Sequence, residues 1–330
     1  MNIKMQCCGI IIVALLIILY SRRRKLPLLT RKVFHACLYV TLVCLIFDVA
    51  SIFGIVYRES LPAFLPVFLC KTYIAFLVLV AYMSVLYVAT SVSFYLPHYK
   101  KMIIACTVFC GIVIGLIYAL PIVMHEDVAN DLAWTTGPST IVTYVGAFVF
   151  IAFNHIQIVY HKQYIYERQR KTVLIWLIMW IVAAGIQMMN NQLLVVGFAC
   201  ALSVMIIVIQ FENPELYLDR GTGLFNYMAY QHYVEQLYSS NKEFYVMAVT
   251  FENAPGQDDV QLSDHRIEAA KVYNTFLSIA KAYVFKIQED EILILFENKE
   301  YAEVAKESLM AWIEREDVEI LPSHPAFYYV

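Results

Sequence analysis

The sequence predicts an all-α, multi-pass membrane domain of about seven transmembrane helices over residues 1–211, followed by a cytoplasmic α+β domain over residues 212–330. Hydrophobic residues make up 61% of the 330-residue chain and charged residues only 15%, which is outside the usual soluble range. The first part carries 15 Lys and Arg against 6 Asp and Glu, whereas the second carries 9 against 21. After Phe211 the continuous apolar pattern changes to an alternating, amphipathic one.

Each predicted transmembrane helix is an apolar run close to the length of about 20 residues that a bilayer core requires. Asn213-Pro214 marks the end of the last run, because the residue before a proline disfavours helix. A basic cluster follows the first run instead of preceding it, which indicates a membrane anchor and not a signal peptide. The predicted spans are residues 5–20, 33–56, 66–95, 102–124, 139–159, 172–189 and 193–211.

The charges between the spans predict the orientation, because Lys and Arg mark cytoplasmic loops. The loops after the second, fourth and sixth spans carry Arg58-Glu59, the acidic tract 125–131 and the uncharged tract 190–192. We therefore expect a cell-membrane protein with its N-terminus outside and its C-terminal domain in the cytoplasm. The residues that make the loops after the first, third and fifth spans basic are Arg22, Arg23, Arg24, Lys25, Arg31, Lys32, Lys100, Lys101, Lys162, Arg168, Arg170 and Lys171.

The composition also narrows the classes of partner. An acidic C-terminal domain argues against nucleic acid, because phosphate binding depends on clustered Lys and Arg. The basic first part is explained by the lipid bilayer as its partner. All eight Cys lie in the apolar part without metal-ligand spacing, so we expect them to be small packing residues. No internal repeat or Gly/Pro-broken helix pair is found, which favours a sensor or an anchor over a transporter.

Asp48 is the strongest candidate for function within the predicted spans, because a charge in hydrocarbon is costly. It lies late in the second span, towards the outer face. Three roles are open: Asp48 binds a cationic ligand in the membrane domain, pairs with Lys71 near the start of the third span, or is hydrated at the interface. Trp134 and Trp176 lie near span ends, which is typical of the interfacial aromatic belt.

The C-terminal domain shows helical and strand periodicities in turn. The order of elements contains the split β-α-β-β-α-β arrangement of a ferredoxin-like fold, an antiparallel sheet covered by helices on one side. In that fold, residues 288–290 form the tip of the central hairpin. The predicted elements are a helix over 226–240, a strand over 244–251, a helix over 264–281, strands over 282–287 and 292–296, a helix from the cap Asn298 to about 316, and extended segments over 318–321 and 327–330.

Two stretches resemble the GGDEF domain of diguanylate cyclases, over about residues 215–330. Residues 218–227 are similar to the opening pattern D-x-L-T-G-L-x-N-R, with Gly221 in place of Leu and Tyr227 in place of Arg. Residues 285–292 resemble the hairpin F-R-x-G-G-D-E-F, because the acid pair is kept although both glycines and the final Phe are lost. The matching residues of the opening pattern are Thr222, Gly223, Leu224 and Asn226.

In that family two domains face each other and condense two GTP into cyclic di-GMP, with divalent metal held by carboxylates of the first strand and the hairpin. The resemblance implies residual catalytic and metal positions at Asp290 and Glu291. Thr250 replaces the metal-binding Asp of the first strand, so no catalytic or metal-binding residue is assigned, and no cofactor is expected unless residual activity uses Mg. The nucleotide-binding residues that the resemblance implies are Thr222, Gly223, Asn226, Gln288 and Glu289.

The replaced glycines decide the expected activity. Glycine lets backbone amides approach a phosphate closely, whereas Gln288 and Glu289 fill that space and Glu289 adds a repelling negative charge. The family also has a further helix and strand after the segment matching residues 327–330, so we expect a truncated domain or a longer chain.

These features predict a multi-pass membrane signalling protein with a degenerate, inactive GGDEF-like domain that binds a nucleotide or a partner in cyclic di-GMP signal transduction. GTP or cyclic di-GMP is the expected ligand, and a homodimer through the cytoplasmic domain is the expected assembly. Two alternatives stay open. The first is an active diguanylate cyclase, and the second is a seven-helix receptor or transporter with an unrelated α+β tail.

Overall fold

The computed structural model divides the chain into two compact units. The first unit comprises Met1–Arg23 and Leu29–Asn213, and the second comprises Arg24–Leu28 and Pro214–Val330. Of the residues between the first two helices, the described residues 26–28 thus belong to the second unit. The structure is described for residues 3–21, 26–91, 99–129, 132–162, 167–190, 193–210, 216–250, 282–288 and 291–316.

Long apolar runs form the helices of the first unit, because a helix satisfies its own backbone polar groups where water is absent. Six of these helices are long and apolar enough to cross a membrane, which indicates a membrane protein. The helix in the seventh predicted span has 15 residues, or about 22 Å against a hydrocarbon core of about 30 Å. The helices are α1 Lys4–Ser21, α2 Leu29–Val56, α3 Phe64–Ser91, α4 Tyr99–Ala119, α5 Pro138–Tyr160, α6 Glu167–Met189 and α7 Val196–Gln210.

Helices α3 and α4 represent the centre and the periphery of the first unit. In the most apolar stretch of each helix, 56% of the residues are buried in α3 and 17% in α4. Ile104, Val108, Ile112 and Leu116 recur every four residues along α4, and each is at least 44% exposed. That spacing places them on one helix face. An apolar face of this length is avoided on soluble monomers and suits contact with lipid.

A β-hairpin that is absent from the predicted elements connects α4 to α5, so the first unit is not entirely helical. Strand β1 (Val123–Asp127) pairs antiparallel with β2 (Leu132–Thr136). The His125 ring stacks on Trp134 with centroids 5.5 Å apart, and its Nε2 lies 2.7 Å from Thr136 Oγ1 in a hydrogen bond. Such cross-strand pairs stabilise a hairpin. The acidic residues of this tract predicted only an outer loop.

The start of α5 is tied to the end of α4. Gly137 precedes the helix with a φ of +112°, a conformation that favours glycine. The hydroxyl group of Ser139 lies 2.8–3.1 Å from the carbonyl oxygens of Ile117, Leu120 and Pro121. These carbonyls belong to the end of α4, where helical partners are missing. The contacts fix the first turns of α5.

The second unit contains a three-stranded antiparallel sheet with the order β3-β5-β4. Asn226 accepts a hydrogen bond from the Ala229 amide and caps the first helix of the unit, and Asn298 accepts one from the Glu300 amide before the last helix. The predicted helix 264–281 and the predicted segments 318–321 and 327–330 lie outside the described residues. The elements are α8 Tyr227–Ser239, β3 Tyr245–Thr250, β4 Ala282–Lys286, β5 Glu291–Phe296 and α9 Lys299–Glu316.

Residues 26–28, which lie between α1 and α2 in the chain, are part of the core of the second unit. Leu26 is 1% exposed and Leu28 is 5% exposed, and both belong to one apolar cluster with Tyr233 and Leu237 of α8. The Gln236 side chain donates a hydrogen bond to the carbonyl of Pro27. The basic residues of this loop predicted a cytoplasmic position but not this packing.

Candidate functional site

The first unit contains a pocket of about 720 Å³. Its walls come from α3, α5, α6 and α7, and β2 contributes Trp134. That volume includes open solvent at the pocket mouth. The composition is that of a small-molecule site, which is mostly apolar with a few placed polar groups. None of the described residues that line it is Lys, Arg, His, Asp or Glu. Its aromatic and hydrogen-bonding side chains include Tyr73, Trp134, Thr135, Thr140, Thr143, Tyr144, Trp180 and Gln187.

Hydrogen bonds and stacking fix several side chains of this wall. Trp180 Nε1 donates to Ser203 Oγ at 2.8 Å, which joins α6 to α7. Trp134 stacks on His125 within the hairpin. Gln187 Oε1 accepts hydrogen bonds from the amides of residues 195 and 196, each at 3.1 Å. These bonds hold the Gln187 side chain against the N-terminal end of α7. The pocket is therefore largely preformed.

Asp48 of α2 lies beside this pocket, and its side chain is completely buried. The side chains of Gln6 and Tyr73 lie next to the carboxyl group, yet neither carboxyl oxygen has a hydrogen-bond partner among the described residues. Helix α7 approaches so closely that a Cβ atom on Gly197 would lie 2.7 Å from Asp48 Oδ2. A larger residue at position 197 would therefore require the carboxyl group of Asp48 to shift.

Two of the three roles foreseen for Asp48 are not observed. Lys71 Nζ donates to the carbonyls of Tyr118 and Leu120 at 2.8 and 2.7 Å, so Lys71 binds the C-terminal end of α4 instead of the acid. Asp48 has no exposed surface, which excludes hydration at the interface. Binding of a cationic ligand remains a prediction.

The buried polar groups of the first unit differ in hydrogen bonding, and this is also true of those that line the pocket or bond its residues. The hydroxyls of Thr143 and Ser203 donate to the carbonyls of Ser139 and Ala199, at 3.0 and 2.6 Å. In contrast, the hydroxyl of Tyr73, a residue only 5% exposed, has no partner among the described residues, and the same is true of Thr140 Oγ1. Buried polar groups are normally hydrogen-bonded, and among the described residues Asn154 Oδ1 and Gln157 Oε1 also have no partner. The pocket is the candidate site of this unit because its two unsatisfied hydroxyls line an otherwise mostly apolar wall beside Asp48.

The predicted nucleotide-binding residues of the second unit begin in its opening loop, residues 216–226. Asp219 Oδ2 accepts hydrogen bonds from the amide and the hydroxyl of Thr222, each at 2.8 Å. Lys286 Nζ of β4 lies 3.6 Å from the other carboxyl oxygen. Burial raises the pKa of Asp219, but the bonds from Thr222 and the charge of Lys286 outweigh burial, so the pKa lies below its ordinary value.

The other residues of the opening pattern also have structural roles. Gly223 adopts a φ of +71°, and its amide donates to the Asp219 carbonyl at 2.8 Å. Asn226 caps α8, and its side-chain amide donates to the Leu216 carbonyl. Thr222, Gly223 and Asn226 therefore hold the opening loop together.

Backbone pairing brings the opening loop to the hairpin. The Phe225 amide donates to the carbonyl of residue 284, and its carbonyl accepts from the Lys286 amide at 2.7 Å. At the far end of β4, the amide of Gln288 donates to the Glu291 carbonyl at 3.3 Å. The two remaining predicted residues of the tip, Glu289 and Asp290, lie outside the described residues.

The metal position that the resemblance implies lies where β3 ends and β5 begins. Thr250, the last residue of β3, stands directly opposite Glu291 of β5, so the paired strand lacks the second carboxylate. Mg²⁺ requires several oxygen ligands in near-octahedral geometry, and the described residues include no group of three or more His, Cys, Asp or Glu that would hold a metal. The described residues do not fit a Mg²⁺ site.

No protein-family model matches the chain, and a search among curated proteins finds no match either. Functional inference therefore rests on the two sites described above. The resemblance to GGDEF domains stays a prediction.

Sequence reasoning missed the aromatic wall of the membrane pocket. Trp176 was expected in an interfacial belt, but it is 1% exposed and lies edge-on against Trp180 with ring centroids 5.5 Å apart. Trp134 lies on a strand and lines the pocket. One signal was present: Tyr73, Tyr144 and Gln187 are hydrogen-bonding residues within apolar runs, and such residues are candidates for contacts inside a membrane domain.

Proposed function

We propose that the chain is a multi-pass signalling protein of the cell membrane whose second unit is a catalytically inactive, GGDEF-like domain of ferredoxin-like fold. In this proposal α7 is the seventh span, the N-terminus is outside and the second unit is cytoplasmic. The three antiparallel strands in the order β3-β5-β4 are compatible with the first three strands of a split β-α-β-β-α-β fold. The alternation of basic loops supports the orientation.

The observation that carries the inactive assignment is the register of β3 against β5. It sets Thr250 opposite Glu291, at the place where the resemblance implies two carboxylates on one metal. A threonine hydroxyl brings no negative charge to a hard divalent cation. Without that charge, the triphosphate of GTP would not be neutralised for phosphoryl transfer.

The opening loop supports the same conclusion. The Asp219 carboxylate is engaged by Thr222 and by Lys286, so these groups stabilise the loop. We propose that the domain acts by binding GTP, cyclic di-GMP or a second copy of itself.

Turnover tests the inactive assignment directly. The full chain in lipid nanodiscs, incubated with GTP and Mg²⁺, is expected to form no cyclic di-GMP by mass spectrometry. Asp290→Ala is the variant of interest, and Glu300→Ala, in the exposed first turn of α9, is a matched control. Product that disappears in Asp290→Ala but not in Glu300→Ala would show an active cyclase.

Binding is measured separately by calorimetry on the same preparation. Saturable heat with GTP or cyclic di-GMP is expected if the domain is a nucleotide sensor. The absence of heat with either nucleotide would rule out nucleotide binding and leave partner binding as the proposed role. Mass photometry of the full chain at rising concentration then measures whether it forms a dimer.

A further inference from the structure

We propose that the pocket beside Asp48 binds a small organic cation, a quaternary ammonium or a protonated amine. The proposal rests on the signalling role above, because it names the class of ligand that the membrane unit would sense. The pocket is lined mostly by apolar side chains with a few polar ones, as small-molecule sites are.

The aromatic wall supplies the first argument. Tyr73, Trp134, Tyr144 and Trp180 come from α3, β2, α5 and α6 and line the same pocket. The face of an aromatic ring is electron-rich and attracts a cation, most strongly for Trp. Because Trp134 and Trp180 are held by stacking and by a hydrogen bond, little order is lost when a ligand binds.

The charge distribution supplies the second argument. Lys, Arg and His are absent from the described residues that line the pocket. The acid next to the Tyr73 side chain, Asp48, has no hydrogen-bond partner among the described residues. Lys71 binds the end of α4 instead. A buried carboxylate without a partner favours a nearby cation and disfavours an anion.

Hydrogen-bonding capacity supplies the third argument. The hydroxyl groups of Tyr73 and Thr140 have no partner among the described residues, and both residues line the pocket. A hydroxyl accepts a hydrogen bond from an ammonium group or bonds a ligand hydroxyl. A purely apolar ligand would leave these groups and Asp48 unsatisfied, which a buried site disfavours.

Choline and its neutral carbon isostere, in which a tert-butyl group replaces trimethylammonium, provide a matched pair of probes. Both are titrated into the full chain in nanodiscs of phosphatidylglycerol, with tetramethylammonium and benzyltrimethylammonium as further cations, and binding is followed by calorimetry. At least one cation is expected to bind saturably, with choline preferred over its isostere by about tenfold or more.

Three variants locate the binding. Asp48→Asn and Trp134→Leu are each expected to weaken cation binding by about tenfold. Tyr82→Phe is the matched control, because Tyr82 lies on α3 like Tyr73 but bonds Thr107, and it is expected to bind as the unaltered chain does. Trp134 lies on the hairpin and not on a helix, so this variant keeps the test decisive if Asp48→Asn does not fold.

Equal affinity for choline and its isostere would overturn the proposal, as would the absence of saturable binding for all three cations. Unchanged cation binding in both Asp48→Asn and Trp134→Leu would also overturn it. These measurements contain no nucleotide, so their failure is distinct from a failure of the inactive assignment, which GTP turnover alone reports.

Discussion

Asp48 in the first unit is fully buried and Asp219 in the second is partly exposed, and the two carboxyl groups differ in their hydrogen bonding. Asp219 accepts two hydrogen bonds from Thr222 and lies beside Lys286. Asp48 is fully buried, and its oxygens have no hydrogen-bond partner among the described residues. The first arrangement completes a loop, whereas the second leaves capacity for something else to bind.

The difference separates a structural acid from a candidate binding acid. A carboxylate whose oxygens accept hydrogen bonds adds to stability, and removing it leaves its partners without those bonds. An unsatisfied one opposes folding, so its presence favours a role in binding. The comparison predicts opposite signs for the stability of the two corresponding variants.

The largest expected effect concerns the hydrophobic core of the second unit, the unit that contains Asp219. Leu26→Ala removes a fully buried side chain from the second unit and is expected to lower its stability by about 2–5 kcal/mol, through lost burial and a residual cavity. Hydrogen–deuterium exchange of the α8 amides in the full chain measures the change.

Leu29→Ala is the control for this substitution, because Leu29 is 40% exposed at the start of α2. It should leave exchange in α8 unaltered. Equal protection of α8 in Leu26→Ala and in the unaltered chain would contradict the assignment of residues 26–28 to the second core.

The two acids themselves give the next effect. Asp219→Asn is expected to destabilise the second unit by about 1–3 kcal/mol, because the charge-assisted bonds weaken and the ion pair with Lys286 is lost. Asp48→Asn is expected to keep or raise the thermal stability of the first unit. Thermal unfolding in nanodiscs and amide exchange in each unit report the changes, and a destabilised first unit would show that Asp48 is structural.

The smallest effect is a dependence on pH. Burial lowers the pKa of His232 from its ordinary 6.5, although Glu235 opposes the shift. Below pH 6.5 the unfolded chain therefore binds a proton that the folded unit does not. The free energy of unfolding is thus highest above pH 6.5 and decreases as the pH falls towards the lower folded pKa. Between pH 7.5 and 5 the protection of the α8 amides, corrected for the slower intrinsic exchange at lower pH, is expected to fall, and His232→Gln is expected to remove that loss of protection.

Much of the secondary structure follows from local patterns. Six predicted spans coincide with long apolar helices, as for 139–159 and α5, because hydrophobic length is a local property. The strands 282–287 and 292–296 and the cap at Asn298 are also confirmed, since β-rich runs and capping residues act over a few positions. The hairpin of β1 and β2 escaped prediction because its support is a pair of contacts across the strands.

The sites were less predictable than the elements. Asp48 was recognised as a candidate because any acid in an apolar run is unusual, but the four aromatic residues around the pocket are separated by up to about a hundred positions and share no pattern. The same applies to the GGDEF-like positions. Their residues are visible in the sequence, while the pairing of Thr250 with Glu291 depends on strand register.

The sequence by itself determined that the chain is rich in membrane-length helices, that its charge divides near residue 211, and that one acid is embedded in the apolar part. Only the tertiary structure decided that this acid has no hydrogen-bond partner among the described residues and lies beside an aromatic pocket, and that Leu26 and Leu28 belong to the core of the other unit. The physical reason is range. Hydropathy and capping act between neighbours in the chain, whereas burial and hydrogen-bond satisfaction depend on which distant segments meet.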